Sequence, residues 1–156
     1  MFPPNFIEAE RIGCRLEIGS KKRVLQQLGE LLASSTPGLS PEAVFDHLLE
    51  RERLGSTGLG HGIALPHARM PQLDRAVGAF VQLRTGVDFD AIDDLPVDLA
   101  FGLLVPQDAT EAHLQLLAKL ASMFSNEMLC EKLRNGADVQ ELLQHIQEWE
   151  SFSEGA

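Results

Sequence analysis

Gly55-Ser56-Thr57-Gly58-Leu59-Gly60-His61-Gly62-Ile63-Ala64-Leu65-Pro66-His67-Ala68-Arg69 is the stretch on which the reading of this 156-residue chain turns. Its glycines at 55, 58, 60 and 62 make a loop whose backbone can turn sharply and approach another molecule closely. Ile63-Ala64-Leu65 is a short apolar run that reads as a buried strand. Pro66 ends it, because proline has no N–H to give to a sheet ladder. His67 then stands at the end of a stiff strand, beside a glycine loop. Taken alone, this is equally a strand that happens to finish in Pro-His. Three familiar motifs fail here. Gly55 and Gly60 have the spacing of a phosphate-binding P-loop, but His61 and Gly62 replace its Lys and Ser/Thr. Glycines 58, 60 and 62 do not match the dinucleotide fingerprint. Gly55-Ser56-Thr57-Gly58 is not a hydrolase nucleophile elbow.

On the N-terminal side of this stretch, Ser40-Pro41 supplies an N-cap and a first-turn proline for a helix to about Arg53. Val44, Phe45, Leu48 and Leu49 form its apolar face, and Gly55 lies just past its end. Arg51, Glu52 and Arg53 therefore sit next to the glycine loop. Earlier still, Ser20 caps a helix over about 21–34, with Val24, Leu25, Leu28, Leu31 and Leu32 on one face. Its first turn carries Lys21, Lys22 and Arg23, where the helix dipole disfavours cations, and they read as a solvated face. Residues 12–18 partly alternate and suggest a first strand.

On the C-terminal side, an irregular stretch is expected after His67, as far as Asp74. Residues 76–84 and 97–105 are apolar enough to be strands buried on both faces, with turn residues from Asp90 to Pro96 between them. Thr110 reads as the N-cap of a helix to about Phe124, with Leu114, Leu117, Leu120, Ala121 and Phe124 as its core stripe and His113 in its first turn. A shorter helix near 126–134 ends at Asn135-Gly136. Asp138 and Glu141 then form a capping box for a last helix carrying Leu142, Leu143, Ile146 and Trp149. The tail from about Ser151 is expected to fray. The pattern is that of one α/β domain over 1–156, a mixed sheet with helices on both sides.

Composition narrows the function. The chain is 44% hydrophobic and 23% charged, ordinary for a globular protein. Its net charge of −10 argues against nucleic acid as the main partner and favours a basic protein. No run is apolar enough to insert in a membrane, and Met1-Phe2-Pro3-Pro4 does not open a signal peptide, so a cytoplasmic location is expected. Cys14 and Cys130 read as free buried thiols. The five histidines show no metal-binding spacing, and no metal or organic cofactor is expected.

If Arg51, His67 and His113 meet, one chemistry suits them. An imidazole can attack phosphorus, a second can hydrogen-bond the phosphoryl oxygens, and a guanidinium offers those oxygens a planar fork. Amides of residues 55–62 would add fixed donors. Phosphoryl transfer asks chiefly for such positioning and charge stabilisation. In isolation, His113 would be an ordinary surface histidine and Arg51 a partner for the helix dipole.

The segment from Leu49 to His67 closely resembles the active-site signature of the fructose/mannitol-type IIA proteins of the bacterial phosphoenolpyruvate-dependent sugar phosphotransferase system. Ser20-Lys21-Lys22-Arg23 and Glu52-Arg53-Leu54-Gly55-Ser56-Thr57-Gly58 are most similar to its nitrogen-regulatory branch. The resemblance implies a three-layer α/β/α sandwich with a mixed sheet. It implies that His67 is the residue phosphorylated, on Nε2, with Arg51 beside the phosphoryl group and His113 as the second active-site histidine. Ser56, Thr57, Gly58, Gly60 and Gly62 are then the supporting loop. The implied donor is the phosphocarrier protein HPr or its nitrogen-branch paralogue NPr. His61 stands where many relatives carry Asn or an acidic residue, and Ala68 where Gly is usual; His61 is expected to place a competing imidazole near the site. The chain contains no IIB or membrane domain, which favours a regulator read out by its phosphorylation state. A free-standing sugar-specific IIA component passing phosphate to a IIB partner is the alternative. A docking module that takes no phosphate is a third.

Overall fold

The computed structural model describes residues 2–155. Eleven helices and strands follow one another among them, besides a short 3-10 turn at Ala9–Arg11. Strand β1 is Ile12–Leu16. Helices α1 (Lys21–Ser34) and α2 (Pro41–Leu54) come next. Ser20 and Ser40 cap them, accepting from the amides of Arg23 and Ala43. Three short strands follow, β2 (Gly58–Gly60), β3 (Ile63–Ala64) and β4 (His67–Met70). Two long strands, β5 (Val77–Val87) and β6 (Val97–Pro106), precede helices α3 (Thr110–Phe124), α4 (Glu127–Asn135) and α5 (Val139–Gly155). The last helix continues to Gly155, past the point where the sequence suggests fraying.

The six strands form one mixed sheet in the order β1-β5-β6-β3-β2, with β4 also on β6. Strands β1 and β5 run parallel, β5 and β6 antiparallel, and β3 and β4 both run parallel to β6. Every second residue of a central strand faces one layer, as the two-residue repeat requires. Ala79, Val81, Ala100 and Leu104 meet Val24, Leu25, Leu28, Leu32, Val44 and Leu48 from α1 and α2. Phe80, Leu99, Phe101 and Leu103 meet Leu120, Met123, Phe124, Leu133, Leu142 and Ile146 from α3, α4 and α5. The result is a three-layer α/β/α sandwich. The aromatic rings of Phe80, Phe101 and Phe124 pack on one another with centroids 6.1–6.3 Å apart.

Three local expectations are corrected. Thr110 is not the cap of α3: Ala109 holds that place and no side chain caps the helix. The α3 stripe is rotated, so that Leu114 and Ala121 face solvent while His113, Leu120, Met123 and Phe124 are buried. The chain just after His67 is strand to Met70 rather than irregular, because the edge of β6 offers it a ladder: His67 lies opposite Leu103 and Arg69 opposite Val105.

Strands β3 and β4 lie end to end along one edge of β6, with Leu65-Pro66 at the break. The Thr57 carbonyl accepts from the Leu65 amide at 3.0 Å, and the Pro66 carbonyl accepts from the Leu103 amide at 2.9 Å. Strands β2 and β3 are a hairpin turning through His61-Gly62, at φ 56° and 82°. Two successive positive φ values are what a two-residue primed turn demands, a place that Asn-Gly or Asp-Gly usually fills. A Cβ on Gly62 would lie 2.5 Å from Arg134 Nη2 and 2.9 Å from Asp98 Oδ1, which are held by the Arg134–Asp98 ion pair. Gly62→Ala should therefore lower stability by about 1–2 kcal/mol, read as a shift in the urea midpoint at constant slope.

Candidate active site

The site forms where β4 begins, under the C-terminal end of α2 and the first turn of α3. A cleft of about 680 Å³ opens there, lined by His47, His67 and His113, by Arg51, Arg53 and Arg69, and by Glu50, Leu54 and Ala68. Three guanidiniums against one carboxylate make it a cationic spot on an acidic protein.

Strand alternation sets His67. Ala68 and Met70 turn into the core, and His67 and Arg69 turn the other way. The His67 Nδ1 stands 2.8 Å from the Leu65 carbonyl oxygen. A carbonyl only accepts, so Nδ1 carries the proton and Nε2 keeps its lone pair. Burial lowers the pKa of this imidazole. The Leu65 carbonyl works against that shift, Arg51 adds to it and Glu52 opposes it.

His113 faces His67 edge-on, with ring centroids 5.3 Å apart and planes at 73°. It is buried rather than on the surface, 7% exposed. Arg69 Nε donates to His113 Nδ1 at 3.3 Å, and the buried Nε2 has no hydrogen-bond partner. Burial first, then the charges of His67, Arg69 and Arg51, push its pKa down to about 4. At neutral pH it is a neutral imidazole.

Arg51, in the last turn of α2, donates through Nη1 to the Gly55 carbonyl at 2.9 Å, which holds its stem across the helix end. The structure thus brings Arg51, His67 and His113 together. It does not bring the glycine loop amides to the same cleft. Thr57 is buried against Glu52, and Ser56 Oγ donates to the Phe89 carbonyl at 2.6 Å. Gly58, Gly60 and Gly62 back onto Ala91, Asp93 and the Arg134–Asp98 pair. Nor does His61 compete with His67. It lines a separate cleft with Gly62, Asp98 and Arg134, and its amide donates to Asp93 Oδ2 at 2.7 Å.

Four contributors escaped the sequence reading. Glu52 is buried and accepts from the Thr57 amide at 2.9 Å and the Thr57 hydroxyl at 2.6 Å. Lys21 reaches it from α1 at 3.0 Å, so this lysine is a tie between helices and not part of a solvated face. Arg69 and His47 line the cleft itself. Lys21 did leave a signal, since a cation in a first helical turn opposes the dipole and calls for another partner. Among the described residues no group of three or more His, Cys, Asp or Glu could hold a metal, and no helix is long and apolar enough to cross a membrane.

Both histidines titrate below their ordinary value, and the sign for stability follows. As pH falls below about 6.5 the unfolded chain binds protons that folded His113 refuses until about 4. Stability from this group is complete above that window and is lost across it, at up to about 1.4 kcal/mol per pH unit. Urea midpoints measured from pH 7 to pH 4 should fall accordingly, and His113→Gln should flatten the slope.

Residues 5–149 match the family described as "Phosphoenolpyruvate-dependent sugar phosphotransferase system, EIIA 2", and the chain belongs to that family. It is 44% identical over 151 residues to a nitrogen regulatory protein of Klebsiella oxytoca, covering 96% of this chain and 93% of that one. It is 45% identical over 128 residues to that of Pseudomonas aeruginosa, covering 82% and 83%. The crystal structure of the nitrogen regulatory protein IIA-Ntr from Neisseria meningitidis superposes with a TM-score of 0.84 at 43% identity, over 90% of this chain and 95% of that one. The IIA mannitol protein of Escherichia coli superposes at 0.75 and 27% identity, over 89% and 97%.

Proposed function

We propose that the protein accepts a phosphoryl group on His67 Nε2 from a phosphohistidine carrier of the HPr or NPr type, and that its phosphorylation state governs binding to other proteins. The observation that carries this reading is the His67–Leu65 hydrogen bond. It commits Nδ1 and leaves Nε2 as the nucleophile at the mouth of a cationic cleft. The lone pair of Nε2 forms the new P–N bond as the donor's P–N bond breaks, and the donor imidazole leaves with that electron pair. The ring of His67 becomes cationic, and the Leu65 carbonyl accepting from Nδ1–H stabilises that charge. Arg51 and the Nε2–H of His113 receive the phosphoryl oxygens. Burial keeps His67 unprotonated, and so nucleophilic, at neutral pH.

A regulatory output fits the likeness to nitrogen regulatory proteins over nearly the whole chain. The phosphoryl group adds up to about two negative charges to the face that carries Arg51, Arg53 and Arg69. A partner that docks on the neutral histidine should lose affinity. The sugar-transport alternative rests on the likeness to IIA mannitol, which has been solved in complex with phosphorylated enzyme IIB mannitol. The test is a relay from phosphoenolpyruvate through enzyme I and the carrier. One acid-labile, base-stable phosphate per chain supports the reading. No label with an active upstream relay would leave a docking module, and onward transfer to a IIB protein would favour the sugar-specific role.

A further inference from the structure

The four-residue strand β4 carries two outward-facing side chains, His67 and Arg69, and the second touches the other histidine of the site. An arginine Nε–H can only donate. His113 Nδ1 must therefore be the acceptor, and the ring proton of the neutral imidazole must sit on Nε2. That nitrogen is buried and has no hydrogen-bond partner. A buried N–H left without an acceptor costs free energy, so its presence is informative. Two residues, Arg69 and His67, fix how His113 can sit: one fills its Nδ1, and the other packs edge-on against its ring at 5.3 Å.

We propose that Arg69 is a positioning residue for phosphoryl transfer: it locks His113 in the Nε2–H tautomer, so that a neutral donor stands ready for a phosphoryl oxygen at His67. The proposal rests on His67 being the acceptor. It adds a role that the sequence left unassigned, in a segment that the sequence suggested was irregular. Arg69 delivers no hydrogen bond to the reacting atoms here; it acts through His113. A lysine at this place could donate to Nδ1 as a point charge, but without the directional fork of arginine.

The test has two independent readouts. Long-range proton–nitrogen NMR on the unphosphorylated protein identifies the protonated ring nitrogen of His113. In the wild type it should be Nε2. In Arg69→Met the two tautomers should mix, with Arg69→Lys restoring the Nε2–H form. Rapid-quench phosphorylation then gives the transfer rate. Arg69→Met should slow it roughly 10-fold, within the range of a misplaced donor. In a His113→Ala background the same substitution should have no further effect, since its route has been removed. An unchanged tautomer in Arg69→Met, or a rate loss that persists in the His113→Ala background, would overturn the proposal and put Arg69 on the phosphoryl group directly. If Arg69→Met does not fold, Arg69→Ala serves, because it too offers Nδ1 no donor. The tautomer readout needs no phosphate, so it stands apart from failure of His67 to accept one.

Discussion

His67→Ala should take up no phosphate from an active relay, while folding as well as the parent. The side chain makes one described hydrogen bond, to a carbonyl two residues away, and lines a cleft open to water. Removing it strands no buried polar group, because the Leu65 carbonyl that loses its donor can be reached by solvent through the vacated space. The chemistry has no substitute nearby. His113 carries its ring proton on the buried Nε2, and its Nδ1 is occupied by Arg69, so neither nitrogen offers a free lone pair. His61 lies on another cleft. Label retained by His67→Ala would therefore remove His67 as the acceptor. His113→Ala should behave differently. It keeps the nucleophile and loses a preorganised donor, and transfer should slow by about 10²–10³-fold without being abolished. Mass measurement after a long incubation separates the two variants: none for the first, a full complement for the second.

Glu52→Ala should cost about 3 kcal/mol of folding stability. Glu52 is 5% exposed, and its carboxylate holds three groups at once: the Thr57 amide, the Thr57 hydroxyl and the Lys21 ammonium. Truncation leaves the Thr57 amide and hydroxyl buried without their acceptor, at about 1–3 kcal/mol for an unpaired buried group. Lys21 is a fifth exposed and keeps its contact to the Phe89 carbonyl at 3.3 Å, so it is not stranded, and the loss belongs at the lower end of the range for a broken buried pair. For a chain of this size the melting temperature should fall on the order of 10 °C. A fall of only one or two degrees would show that water replaces the carboxylate. Lys21→Ala should cost less, since Thr57 keeps its acceptor.

Much of the frame could be read from the residues because it follows strong local rules. Helices α1 and α2 announce themselves by a serine cap and an apolar stripe, and β5 and β6 by long apolar runs flanked by turn residues. The apolar run of β3 is legible as well, but β2 forms only as its hairpin partner, and the four-residue β4 exists only because the edge of β6 receives it. No local signal describes a ladder whose other half lies over thirty residues away. Leu114 and Ala121 misled for a related reason. The first turn of α3 roofs the cleft, so its inward face there carries His113 and not leucine. Arg51, His67 and His113 are far apart in sequence, and only the resemblance joined them; the folded chain places them in one cleft. Arg69 and Glu52 act through contacts across elements, which spacing does not reveal.

Strand β4 also limits how this site can vary. It is a tetrapeptide in which alternate residues serve opposite sides, Ala68 and Met70 the core, His67 and Arg69 the cleft. Inserting or deleting one residue between His67 and Met70 would exchange the two sets, pressing a guanidinium into an apolar layer and turning alanine or methionine toward the cleft. Its length is therefore fixed by the fold, whereas its cleft-facing residues are fixed only by the chemistry they perform. A change of reactivity at this edge is therefore expected from a single replacement rather than from a change in its length.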